Sequence, residues 1–141
     1  MANVVVLAFA IWQTASPSIP GPVFATPAGV VLSQVNPAKT ADFELVVKRL
    51  RAALLASPDP ERRKQGLGWK VYKAGEPYND STLYIFVLDP AIAGADYSIT
   101  RTLADVAPAD VQTLYEKFSG ACTAQTFWPV TPVEPSQSIK P

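Results

Sequence analysis

Histidine is absent from the 141 residues, cysteine and methionine occur once each, and no charged side chain appears before Lys39. Without histidine the chain lacks the commonest general base near neutral pH and the commonest metal ligand. Ser-His-Asp and Cys-His nucleophile activation, His-ligated zinc and His-ligated haem are all excluded. The lone Cys122 rules out an intrachain disulfide and any thiolate cluster. It reads as a small apolar packing residue in preference to a reactive thiol. Neither a metal nor a cofactor is expected.

Charge of either sign is scarce, at 17% of residues, and twelve basic side chains cancel twelve acidic ones. No global field exists to draw nucleic acid or an anionic membrane, so neither is an expected partner. What is present is apolar: 48% of the chain, with 10% aromatic, enough to bury one core in a chain long enough for one domain. Fourteen prolines stiffen the ends and connections.

Residues 4–12 form a continuous apolar run from Val4 to Trp12. It has the length of a signal-peptide h-region and falls short of the ~20 residues a helix needs to cross a bilayer. A proline-rich stretch follows at 16–22, and Val23-Phe24-Ala25 offers short residues where a signal peptidase reads. Residues 1–25 are therefore expected to be a leader, cut after Ala25, for export to the periplasm or extracellular space. No integral span remains in the mature chain. The competing reading, favoured by the missing basic n-region, makes residues 2–9 a strand or helix of the fold.

Residues 26–133 read as the domain and 134–141 as a loose tail. Residues 29–35 are β-branched and bounded by Gly29 and Asn36-Pro37, a first strand. Phe43, Val46, Val47, Leu50, Ala53 and Leu54 then fall on one stripe of a helix, with Thr40 as its expected N-cap. Glu61 to Gln65 predicts a short surface helix, and the run Arg62-Arg63-Lys64 is read as a solvated face because no aromatic or glycine-rich element accompanies it. Residues 68–73 and 83–88 predict two strands joined by a turn-rich loop, in which Asn79-Asp80-Ser81 matches a glycosylation sequon. Helical spacing recurs over 97–106, with Asp96 as the expected cap, and from Pro108 to Phe118. A last strand over 124–133 carries Pro129 and Pro132, which belong on a sheet edge.

Strand, helix, strand, strand, helix, strand is the split βαβ order of ferredoxin-like domains, so the expected fold is α+β: a four-stranded antiparallel sheet with helices on one face. In residues 83–88, Leu83, Ile85 and Val87 point one way and Tyr84, Phe86 and Leu88 the other, so both faces are apolar. Leaving Phe86 and Leu88 on an open face would forgo several kcal/mol at ~25 cal/mol per Å². A cover is expected, and the simplest is a second copy.

The strand and helix order, the Val35-Asn36-Pro37 exit from the first strand and the Phe43-containing helix together resemble the dimeric α/β-barrel superfamily, which includes the antibiotic-biosynthesis-monooxygenase-like domains. The resemblance covers roughly residues 29–133 and implies a homodimer packed sheet against sheet. Members include cofactor-independent oxygenases, haem-degrading enzymes and proteins without a known activity. The histidine that members use for haem or proton transfer is missing, so no catalytic residue carries over.

Two functions compete. A non-catalytic exported homodimer would use its apolar sheet face as interface or as a small pocket. An oxygenase-like, cofactor-independent enzyme would act on a small apolar or aromatic molecule, with Tyr72, Tyr84, Phe86, Tyr97 and Arg101 as pocket candidates. Each of those residues also has an ordinary role as core aromatic or solvated helix cation. Tyr84 and Phe86 packed dry, with no cavity beside them, would count against the enzyme. A third class, an envelope-associated partner protein, would use the proline-rich ends as tethers.

Overall fold

The computed structural model describes residues 22–133. The apolar run at 4–12 and the tail at 134–141 lie outside the described residues. In chain order the elements are β1 (Ala28–Val35), a 3-10 turn (Pro37–Lys39), α1 (Thr40–Ala56), α2 (Pro60–Leu67), β2 (Trp69–Lys73), β3 (Thr82–Leu88), α3 (Ile99–Val106), α4 (Val111–Ala121) and β4 (Cys122–Val130). The strands form one antiparallel sheet in the order β2-β3-β1-β4, the order of the split βαβ arrangement. β4 lies at an edge, and Pro129 within it faces Gly29 of β1. Among the described residues no helix is long and apolar enough to cross a membrane.

Register decides which side chains share a face. Val31 pairs with Phe86, Ser33 with Tyr84 and Gly29 with Leu88, while Trp69 and Val71 of β2 stand opposite Leu88 and Phe86. This set meets the helices. Phe43, Val46, Leu50 and Leu54 of α1, Ile99 and Leu103 of α3 and Leu114 of α4 close over it, and all are buried. Phe43 is the hub, with its ring 4.6 Å from Tyr84 and 6.1 Å from both Phe86 and Phe118.

Here the structure corrects one expectation. The face left open carries Leu83, Ile85 and Val87, not Phe86 and Leu88, which are 1% exposed beneath the helices. Alternation in β3 defines two apolar faces but cannot say which is covered; that is decided only when the helices are laid across the sheet.

Local signals were also reassigned at helix starts. Thr40 is the first residue of α1 and not its cap; Lys39 precedes it without a side-chain cap bond, and Asn36 caps the 3-10 turn that runs into the helix, its Oδ1 accepting from the Ala38 N–H at 2.9 Å. At α3 the cap is Ser98, whose hydroxyl faces the Arg101 N–H, while Asp96 sits two residues earlier and accepts from the Ser98 N–H at 2.7 Å. Between β2 and β3 the chain reverses at Asn79-Asp80, both with positive φ (50° and 58°), flanked by reciprocal Tyr78–Ser81 hydrogen bonds of 2.9 Å. That is a two-residue turn of the primed type, which matches strand twist.

The packed domain begins upstream of the expected boundary at 26. Phe24 is 2% exposed, its ring centroid 5.6 Å from that of Tyr97. The sheet and helices are complete from Ala28 onward, but the core is not.

Candidate functional site

Tyr84 illustrates how the fold positions polar groups. Its strand phase buries the ring under α1, and its hydroxyl reaches the rim, where it donates to Glu44 Oε1 at 2.6 Å. Lys73, on the neighbouring strand, donates to the same oxygen at 3.2 Å and lies 5.8 Å from the Tyr84 ring centroid. The Tyr84 hydrogen bond and the Lys73 ammonium together hold the Glu44 carboxyl below its ordinary value. Burial first, and then the adjacent carboxylate, push the Tyr84 phenol well above the usual tyrosine range.

These groups border an open groove of about 260 Å³ between α1 and the edge strand β2, lined also by Val47, Lys48, Val71 and Tyr72. Nothing in the spacing of Glu44 announces that a strand tyrosine forty positions away would seek it. In chemical terms the cluster is quiet. Its carboxylate accepts from two donors, and its phenol is disfavoured from ionising by burial and by that carboxylate.

The five pocket candidates do not converge. Tyr72 and Tyr84 line the groove. Phe86 is sealed in the core, with Trp69 at 5.9 Å and Phe43 at 6.1 Å between ring centroids. Tyr97 is buried at the other end of the core, packed on Phe24 and Trp69, and its hydroxyl accepts from the Ile92 N–H at 2.8 Å. Burial raises its phenol above the ordinary range. Arg101 is exposed on α3 and pairs with Asp96 at 3.0 Å.

Other polar clusters serve the fold. The Asp96 carbonyl accepts from Gln65 at 2.8 Å and from Thr102 at 3.3 Å, tying α2 to the start of α3. The basic run is likewise occupied locally: Arg62 pairs with Asp105 at 2.5 Å, Arg63 donates to the carbonyls of Ser57 and Pro58, and Lys64 pairs with Glu61. Cys122 is partly buried, and burial pushes its thiol up to about 11, so it is protonated at neutral pH.

The largest unassigned feature is the open sheet face. Three rows cross it: Tyr72, Ile85, Leu32 and Thr126; Lys70, Val87, Val30 and Trp128; and Leu83, Gln34 and Ala124. The central residues are partly exposed, and at the edges Tyr72 is 55% and Trp128 46% exposed. Lys70 is the sole charged side chain in these rows, and it stands at the edge. No protein-family model matches the chain, and neither a curated protein nor a solved structure matches it.

Proposed function

We propose that this protein is a non-catalytic homodimeric module, exported from the cell that makes it, whose two protomers pack open sheet face against open sheet face to form a dimeric α/β barrel. The observation that carries this reading is the uncharged apolar centre of that face: Val30, Leu32, Leu83, Ile85 and Val87 on the two middle strands, flanked by Tyr72 and Trp128. A soluble antiparallel sheet with one face in water ordinarily carries polar residues there. Two copies can approach without burying a charge, because Lys70 lies at the periphery and reaches solvent from there.

Size supports the same occupant. Four strands ~4.8 Å apart, of 8, 5, 7 and 9 residues at ~3.3 Å each, present a flat footprint of roughly 450 Å². Side-chain relief has to raise this for the face to clear the ~500 Å² per partner that is the minimum expected of a biological interface. The tyrosine and tryptophan at the rim are the residue types that interfaces favour.

Replacing Ile85, in the middle row, tests the reading. Ile85→Lys places a cation at the centre of the interface in each copy and is expected to convert the dimer to a folded monomer, seen as a halved mass by light scattering with unchanged far-ultraviolet circular dichroism. A variant that keeps the mass of the parent protein would exclude this face as the interface. The enzymatic alternative rests on the groove beside Tyr84, which Phe86, Tyr97 and Arg101 do not line.

A further inference from the structure

Gly29 has no backbone reason to be glycine. Its φ lies outside the left-handed region, and it sits second in a β-branched strand, where glycine costs stability for want of a side chain to pack. The reason lies upstream. A Cβ at position 29 would stand 2.7 Å from the Phe24 ring, so the missing side chain is the slot that the ring fills. Phe24 is 2% exposed there and stacks at a tilt on Tyr97.

The backbone on either side of Phe24 is held as firmly. The Pro22 carbonyl accepts from the Tyr97 N–H at 3.0 Å, and the Phe24 carbonyl accepts from the Gly94 N–H at 3.2 Å. Val23 forms an antiparallel bridge with Asp96 while its side chain faces solvent, 49% exposed. A strap of chain therefore closes one end of the core and seals the connection between β3 and α3.

We infer that residues 22–25 are a permanent anchor of the folded domain, so that processing of the N-terminal apolar segment, where it occurs, cuts upstream of Pro22 and not after Ala25. Hydrolysis after Ala25 would remove a buried aromatic ring and two backbone acceptors, and leave an empty slot over Gly29. This inference is independent of the dimer reading, because none of the strap contacts lies on the open sheet face.

A double-mutant cycle on the full chain tests it, read as thermal midpoints. Phe24→Ala is expected to lower the midpoint by about 10 °C or more, Phe24→Leu by a few degrees and Val23→Ala by less than ~2 °C. Gly29→Ala is expected to lower the midpoint in the parent and to leave it unchanged or raise it when combined with Phe24→Leu or Phe24→Ala. Intact mass of the folded protein recovered after expression of the full chain should show an N-terminus at or before Pro22. Equal midpoints for Phe24→Ala and the parent, a Gly29→Ala effect that ignores residue 24, or folded protein beginning at Thr26 would each overturn the inference.

Discussion

Tyr84 is held by two environments at once: a ring in the core and a hydroxyl on a carboxylate at the rim. Tyr84→Phe keeps the ring and removes the hydrogen bond to Glu44, and urea unfolding at pH 7 should show a loss of about 1–2 kcal/mol. The pH dependence follows from the directions of the shifts. The folded Glu44 carboxyl is held below its unfolded value, so its contribution is complete above that unfolded value and is lost as pH falls toward and through the folded one. The folded Tyr84 phenol is raised, so its contribution is complete below about pH 10 and disappears as pH climbs beyond. Glu44→Gln should accordingly flatten the acid limb of a stability-versus-pH curve, measured by urea midpoints from pH 3 to pH 7. An acid limb as steep in the variant as in the parent would mean that Glu44 is not part of it. On the alkaline side, tyrosinate absorbance from Tyr84 and Tyr97 should appear with unfolding, because both phenols are raised by burial in the native state.

Elements show why some of this was readable and some was not. The stripe Phe43, Val46, Leu50 and Leu54 announces α1 because a helix repeats its buried face every three to four residues. Pro129 places the last strand at an edge because proline cannot donate to a central ladder, while Pro132 lies beyond the strand's end at Val130. By contrast, β3 is apolar in both phases, so its covered face was not legible. Phe24 carried no periodic signal at all, and among short residues before Ala25 it resembled a processing site; only Gly29, an odd residue in a strand, hinted at a partner ring. The groove was equally silent, since Glu44, Lys73 and Tyr84 meet only after α1 is laid across the sheet. The turn at Asn79-Asp80 supplies a test at this scale. Glycine accepts positive φ at less cost than aspartate, so Asp80→Gly should stabilise the protein by about 0.5–1 kcal/mol in urea unfolding, with its mass in solution the same as the parent's. A loss of stability would contradict the turn geometry.

At the scale of the molecule, the helices close one side of the sheet and leave the other mostly apolar, with Gln34 and Thr126 the uncharged polar residues and Lys70 the one charge in its rows. The polar clusters near α1, α2 and α3 are satisfied by partners within the fold, and none of them assembles an acid, a base and a nucleophile around a cavity. On the reading proposed above, the molecule acts through what it binds, and the partner proposed for this face is its own copy. Sedimentation equilibrium of the purified protein, followed from about 1 to 100 µM, tests that claim most directly. The account predicts a species of twice the chain mass that dissociates with dilution, if at all, to a folded monomer; the mass of one 15.1 kDa chain at every concentration would contradict it.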